Sequence, residues 1–129
     1  MNIPLNPTNN KRPPLELRSI RLYSTGIKKV FTKHFYKSMN HNFGVEILVM
    51  NNTNRPQTIH VGGCIYDNSG KEIIKWKNIH ITIPPQSSKE QDFFVKDFYF
   101  THMNEGTYKV QFWINDKKVQ KEFFTISYK

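Results

Sequence analysis

The sequence contains one cysteine, Cys64, and little alanine or leucine. A single cysteine excludes an intramolecular disulfide and a metal site built from several thiolates. Residues 1–14 have no apolar stretch, so they match neither a secretory signal nor a membrane anchor, and a cytoplasmic protein is expected unless an export signal has been removed. The apolar residues that are present, ten Phe and six Tyr among them, favour pleated strands over helices.

Acidic residues are scarce in the first third of the chain. Residues 1–42 carry eight basic side chains and one acidic side chain, Glu16, which gives this part a net charge of +7, whereas residues 43–129 carry +2. The basic character of the protein therefore belongs to its N-terminal third.

Apolar and polar residues alternate in several short segments separated by turn residues. The alternation is strict over Phe43–Met50 and again over Tyr108–Ile114, where Asn115–Lys118 then predicts a hairpin turn. The pattern predicts an all-β protein, an antiparallel β-sandwich of about seven or eight strands. We assign it to one domain, residues 15–129, after a flexible proline-rich arm, residues 1–14.

Two local features carry further expectations. The first strand starts at Leu15, slips in its alternation near Ser19 as a β-bulge would cause, and is expected at a sheet edge. Residues 24–42 have a weak pattern, in which Val30, Phe31, Phe35 and Tyr36 predict a short strand inside a long basic connection.

Three short motifs resemble those of immunoglobulin-like (fibronectin-like) accessory domains found in many bacterial proteins. They are Ile65–Ile73 (IYDNSGKEI), Asn104–Val110 (NEGTYKV) and Phe123–Ile126 (FFTI). The resemblance spans about residues 43–126 and implies that Gly106 bends the chain while the Tyr108 hydroxyl returns to the backbone of the corner. It implies an immunoglobulin-like scaffold for binding, without the paired cysteines of antibody domains and without catalytic residues to carry over.

The residues with chemical potential do not form a catalytic pattern. Cys64 and His60 share a strand face, but the strand rise separates them too far for a nucleophile–base pair, so Cys64 is interpreted as a small buried thiol. The five histidines lack zinc-site spacing, although His60 and His80 would approach each other if their strands pair. We expect no enzyme activity, no cofactor and no metal, and an enzyme remains only as a residual hypothesis.

Two tryptophans raise the question of a binding surface. Trp113 is out of phase with the apolar residues of its strand, so it is expected to face away from the core together with Lys109 and Gln111, as a hot spot for a protein partner. The alternative, equally supported, is that a loop or the N-terminal arm covers Trp113. Trp76 has the same two interpretations, with packing favoured.

The basic segment suggests a different ligand. Its cations are interleaved with Tyr23, Phe31, Phe35 and Tyr36, an arrangement that suits single-stranded nucleic acid. They are also explained by a solvated face or by an acidic protein partner. The candidate anion-binding residues are Arg18, Arg21, Lys28, Lys29, Lys33 and Lys37.

The sequence thus leads to two main hypotheses. The first is a non-catalytic protein–protein interaction module, an accessory or adaptor subunit of a larger bacterial system, which binds by strand addition or through an exposed aromatic face. The second is an anion-binding domain that contacts nucleic acid or an acidic membrane surface through its basic N-terminal third.

Overall fold

The computed structural model describes residues 12–26, 28–38, 42–96 and 99–128. Most of them lie in strands, with one short 3₁₀ turn at Phe100–His102. The strands are β1 (Leu15–Thr25), β2 (Lys29–Phe31), β3 (His34–Tyr36), β4 (Phe43–Asn51), β5 (Gln57–Tyr66), β6 (Glu72–Ile83), β7 (Ser87–Val95), β8 (Gly106–Ile114) and β9 (Lys117–Ser127).

The strands form two sheets that pack face to face. The four-stranded sheet has the order β2-β1-β4-β7 and the five-stranded sheet the order β3-β9-β8-β5-β6. Neighbouring strands are antiparallel, except that β3 runs parallel to β9. The prediction of an all-β antiparallel sandwich is confirmed, and the strand number exceeds seven or eight because two very short strands were not distinguished.

The alternating apolar residues of both sheets point between them and form one core. At one end of this core four phenyl rings lie with centroids 5.1 to 6.0 Å apart. They come from strands of both sheets and from the 3₁₀ turn, and they are Phe35, Phe43, Phe100 and Phe124. Side chains of this size supply much of the buried apolar area of a small domain.

The predicted corner before β8 has the expected geometry. Gly106 adopts a φ of +143°, and the Tyr108 hydroxyl donates a hydrogen bond to the carbonyl oxygen of Asn104 at 2.7 Å. The final hairpin turns at Asn115 and Asp116, whose φ values of 50° and 68° match a two-residue turn that follows the strand twist.

The first strand agrees with its prediction in one respect and not in another. The pairing of β1 with β4 shifts register between Leu17 and Ser19, which confirms the bulge. However, β1 is not the edge strand, because β2 pairs with it along Tyr23, Ser24 and Thr25.

The residues expected to form one short strand within residues 24–42 are in strand, but they form two strands instead of one. This segment contributes β2 to the four-stranded sheet and β3 to the five-stranded sheet, so it connects the two layers. Phe35 of β3 is fully buried, which explains why so polar a segment is held against the sandwich.

Of the predicted arm, residues 1–11 lie outside the described residues. The end of the arm is attached to the loop after β4, since Asn52 donates hydrogen bonds to the carbonyl oxygens of Pro13 and Pro14 at 2.9 and 2.8 Å.

Candidate binding surfaces

The outer face of the four-stranded sheet carries a row of aromatic side chains in register. Phe31 of β2 lies opposite Tyr23 of β1, Tyr23 lies opposite Gly44 of β4, and Gly44 lies opposite Phe94 of β7. Phe31 and Phe94 are 44% and 45% exposed, whereas Tyr23 is 5% exposed. We call Phe31, Tyr23 and Phe94 the aromatic row; it crosses all four strands.

Tyr23 is buried because its ring lies over Gly44. A Cβ atom at Gly44 would overlap the Tyr23 ring, so glycine is required there. The Tyr23 hydroxyl donates a hydrogen bond to Asp92 Oδ1 at 3.3 Å. Burial, followed by the charge of Asp92, raises the pKa of Tyr23 to about 12, so the phenol stays neutral.

A cluster of charges borders the aromatic row. Glu46 accepts hydrogen bonds from Arg21 at 2.7 Å and Lys29 at 3.3 Å. The Arg21 guanidinium lies 4.0 Å from the Phe31 ring centroid, and the Lys29 ammonium lies 4.3 Å from that of Tyr23. Burial would raise the pKa of Glu46, but these two hydrogen bonds outweigh it and hold the pKa below its ordinary value.

The structure changes the interpretation of the basic segment. Its cations are largely paired: Arg21 and Lys29 with Glu46, Lys33 with Glu122 at 3.1 Å, and Arg18 with Glu16 at 3.5 Å. The Lys37 ammonium lies 5.2 Å from the Tyr128 ring centroid, and Lys28 is exposed.

Two of the aromatic side chains in that segment are not available as stacking platforms. Phe35 is fully buried in the core and Tyr23 is 5% exposed, so the expectation of four interleaved platforms is wrong. Phe31 and Tyr36 remain exposed, at 44% and 42%.

The outer face of the five-stranded sheet contains the three predicted partner-binding residues. Trp113, Lys109 and Gln111 of β8 pair with Gly62, Tyr66 and Cys64 of β5, which places them outside the core as expected. Their exposure differs from the prediction, because this face is covered by its own side chains.

Gln111 is only 4% exposed on the central strand β8. Its side-chain amide donates to the carbonyl oxygens of Phe112 at 3.1 Å and Gln120 at 2.9 Å. The amide is therefore engaged with the backbone of the sheet and is not free to contact a partner. The Lys109 ammonium lies 4.9 Å from the Tyr66 ring centroid, and Trp113 is half-buried. A binding role for these three residues stays a prediction.

Trp113 borders a surface hollow of about 320 Å³ above the middle of β5. Gly62 and Cys64 lie beneath it, and Glu72, Lys75 and Asn78 of β6 line the side opposite Trp113. Burial raises the pKa of the Cys64 thiol, which therefore stays protonated, in agreement with the expected buried thiol.

Trp76 packs where the two sheets meet at β6 and β7. Its ring stacks on Phe112 of the five-stranded sheet with centroids 6.1 Å apart and lies 5.4 Å from Phe93 of the four-stranded sheet. The indole Nε1 donates to the carbonyl oxygen of Phe94 at 3.3 Å. The preferred interpretation of Trp76 as a packing residue is confirmed by these contacts.

The outer strands differ in how well they suit strand addition. The β6 edge has two register shifts with β5 and exposes Lys75 and Lys77, features that disfavour edge pairing. The β7 strand pairs with β4 in unbroken register along its nine residues, and it carries Phe94 of the aromatic row.

Two of the described histidines and one acid come close together. His60 and His80 lie directly opposite each other on β5 and β6, with ring centroids 5.7 Å apart, and His60 Nε2 is 3.2 Å from Asp116 Oδ1. Within the part of the chain that the structure describes, no three His, Cys, Asp or Glu side chains are grouped to hold a metal ion. In the same part of the chain, no helix is long and apolar enough to cross a membrane.

The aromatic row was missed by sequence reasoning. Phe93 and Phe94 are adjacent, so one of them has to face outward from a strand, and that was the available signal. The alignment of Phe31 and Tyr23 with Phe94, across Gly44, follows from strand pairing, which the sequence does not show.

No family model and no curated protein matches the chain. Three similar solved structures differ widely in kind. The alkylpurine DNA glycosylase AlkC of Pseudomonas fluorescens, bound to DNA containing an abasic site analog, has a TM-score of 0.62 and 9% identity over 88% of this chain and 30% of that chain. The β-glucosidase EmGH1 of Erythrobacter marinus has a TM-score of 0.63 and 13% identity over 87% of this chain and 15% of that chain.

The third similar structure is the C-terminal domain of Wzt, with a TM-score of 0.63 and 12% identity over 92% of this chain and 76% of that chain. The chain spans less than a third of the length of the two enzymes. At such identities the likeness shows the fold alone, because one fold hosts many functions. The chain shares a β-sandwich with all three proteins.

Proposed function

We propose that the protein is a non-catalytic protein-interaction module, an accessory or adaptor subunit of a larger bacterial system, and that the outer face of its four-stranded sheet binds the partner. The observation that carries this proposal is the aromatic row, in which Phe31 and Phe94 leave 44% and 45% of their surface in water. Aromatic side chains dominate the binding energy of many protein interfaces.

The row is held in place before any partner arrives. Tyr23 separates the two exposed rings and is fixed by its packing on Gly44 and its hydrogen bond to Asp92. The three side chains lie on strands of one sheet, not on loops. Binding through a rigid surface costs little ordering entropy, which favours affinity.

The charges around the row favour a partner with acidic groups at the rim of its interface. Arg21 and Lys29 are 52% and 42% exposed, while the carboxylate that they share, on Glu46, is 11% exposed. The cations therefore face solvent more than the anion does, on a protein whose net charge is +9. Complementary charge would speed association and select among partners.

The test is affinity capture from extract of the source cells after nuclease treatment, followed by a binding measurement with the purified partner. We expect Phe94→Ala and Phe31→Ala each to weaken binding at least about tenfold, which corresponds to about 1.4 kcal/mol. The matched control is Phe123→Ala, because Phe123 is 46% exposed on the opposite sheet.

Equal losses for Phe94→Ala and Phe123→Ala would contradict the assignment to the four-stranded sheet. Loss only with Trp113→Ala would move the interface to the outer face of the five-stranded sheet. Folding of each variant is checked by thermal unfolding before binding is compared.

A second candidate function is anion binding, with nucleic acid or an acidic membrane surface as the ligand. It is favoured by the exposure of Lys28, Lys29 and Lys33, which lie within six residues of one another in the chain. One protein of similar fold, AlkC, is bound to DNA in its structure. If this function holds, the logarithm of the binding constant falls steeply with the logarithm of salt concentration, and changing the three lysines to Glu abolishes binding. Binding that resists moderate salt would contradict it.

A further inference from the structure

The hollow beside Trp113 lies on the opposite sheet from the aromatic row. It is formed by a glycine in β5 and a bulge in β6. Gly62 lies at the middle of β5 and faces outward opposite Trp113, so the large indole has no side chain across from it. Glycine within a strand costs stability and often marks a place where another group approaches closely. The result is a depression of about 320 Å³, near the lower limit of ligand pockets, which span roughly 300–1,000 Å³.

A bulge in β6 places an amide over this glycine. The register passes from Val61 opposite Ile79 to Gly63 opposite Trp76, so both Lys77 and Asn78 face Gly62. The Asn78 Oδ1 atom lies so close above Gly62 that it would overlap a Cβ atom there. Bulges often redirect a side chain next to a functional site, and here the bulge directs an amide donor and acceptor into the hollow.

The remaining polar groups of the hollow are of mixed sign and are not paired with each other. Glu72 and Lys75 line it without a salt bridge to any described residue, and Asp116 lines its far end. Two carboxylates against one ammonium give the lining a slight negative charge on a strongly basic protein. A phosphate or other anion is therefore disfavoured there.

The floor adds no reactive group. The pKa of Cys64 is raised by burial, and the nearby Glu72 carboxylate raises it further, so the sulfur stays a neutral thiol. The hollow thus combines a broad apolar indole with hydrogen-bonding groups of both kinds and with no strong net charge.

We propose that the hollow binds a neutral polyhydroxylated ligand, one or two rings of a sugar, with the apolar face of the ring on Trp113 and its hydroxyls on Asn78, Glu72 and Lys75. A sugar ring has an apolar face of CH groups and an edge of hydroxyls that both donate and accept hydrogen bonds. It therefore matches an aromatic wall opposite amide, carboxylate and ammonium groups. This site is separate from the proposed protein interface and does not depend on it.

The experiment is an NMR titration of the ¹⁵N-labelled full chain with glucose, galactose, mannose, N-acetylglucosamine and linear disaccharides of glucose, and with inorganic phosphate as the anionic probe. We expect saturable shifts of the Trp113 indole and of the amides of Gly62, Cys64 and Asn78. A ligand of about a dozen heavy atoms at ordinary ligand efficiency gives a Kd on the order of 1 mM.

Variants locate the site. Trp113→Ala should weaken binding at least about tenfold, and Asn78→Ala several-fold, whereas Trp113→Phe keeps an aromatic surface and should retain most of it. Phe94→Ala, on the other sheet, should leave sugar binding unchanged, and Trp113→Ala should leave capture of the protein partner unchanged.

Three results would overturn the proposal. They are the absence of shifts at the hollow with every sugar at about 50 mM, a response to phosphate and not to sugars, and sugar binding that persists in Trp113→Ala. Loss of partner capture in Phe94→Ala has no bearing on it, so the two proposals fail independently.

Discussion

The two outer faces of this sandwich differ because each contains a strand glycine with a different neighbour, Gly44 near the start of β4 and Gly62 in the middle of β5. On the four-stranded sheet Gly44 is covered by the ring of Tyr23, so the face is filled and its flanking rings project into solvent. On the five-stranded sheet Gly62 is covered only by the small amide of Asn78, so the face is hollow beside Trp113. The side chain that fills the space above a strand glycine decides whether a sheet presents a raised surface or a depression.

The two tryptophans of the five-stranded sheet should contribute very differently to stability. Trp76→Ala should lower the free energy of unfolding by about 3 kcal/mol, because it removes a ring that joins the sheets through Phe93 and Phe112. Trp113→Ala should cost only about 1 kcal/mol, because Trp113 packs on the outer face alone. Urea unfolding followed by circular dichroism measures both. An equal loss of unfolding free energy in the two variants would mean that Trp113 serves to pack the fold and does not form a binding site.

Gly62 and Gly63, adjacent in β5, differ in what an added side chain would meet. A Cβ on Gly63 would lie 2.6 Å from the Phe112 ring and 2.9 Å from the Trp76 ring, so Gly63→Ala should destabilise by about 2 kcal/mol. Gly62→Ala displaces only the end of the Asn78 side chain, and its effect should stay within about 0.5 kcal/mol.

Gly62→Ala should also affect sugar binding. Since Gly62→Ala pushes the Asn78 amide from its position, it should impair binding while the fold is kept. A Gly62→Ala protein as unstable as Gly63→Ala would show that the floor of the hollow is tightly packed.

The smallest expected effect concerns the charges on the four-stranded face. Glu46→Gln should lower stability at neutral pH by about 1 kcal/mol, because the partners Arg21 and Lys29 are partly exposed and water screens the interaction. The folded-state pKa of Glu46 lies below its ordinary value of 4.5, so the stabilisation is complete above that pH and is lost as the pH falls through the folded value.

Wild type should therefore lose stability below about pH 4.5 more steeply than Glu46→Gln does. Chemical unfolding over the range between neutral and acidic pH measures the two slopes. The matched control is Glu90→Gln, an exposed residue of β7 on the same face, expected to stay within about 0.5 kcal/mol of wild type. If the free energy of unfolding falls equally steeply with acid in wild type and in Glu46→Gln, the ion pairs of Glu46 do not stabilise the fold.

The sequence predicted those parts of the fold that depend on local pattern. Strict alternation located β4 and β8, and the Asn115-Asp116 turn and the Tyr108 corner followed from short motifs. It did not separate β2 from β3, because three-residue strands leave no period, and it did not show that β3 pairs with β9, which lies far away in the chain.

At the candidate sites, too, local pattern predicted some features and long-range contacts determined the others. The outward direction of Trp113 follows from its phase in β8, and the structure confirms it, since its alternating neighbours Phe112 and Ile114 lie in the core and Trp113 does not. The burial of Gln111 does not follow, since it depends on hydrogen bonds to two carbonyl groups, one of them on β9. The aromatic row and the hollow both arise from side chains of strands that are distant in sequence, and single-sequence patterns do not encode strand register.

The pairing of β3 with β9 has a consequence for how the protein is made. His34, Phe35 and Tyr36 pair in parallel with Thr125, Ile126 and Ser127, so residues near the start of the chain depend on residues near its end. During synthesis β3, the strand that contains Phe35, has no partner until β9 has left the ribosome. We therefore expect the aromatic end of the core to close only after β9 has been made, and a nascent chain stalled before β9 to leave Phe35 and Phe43 exposed.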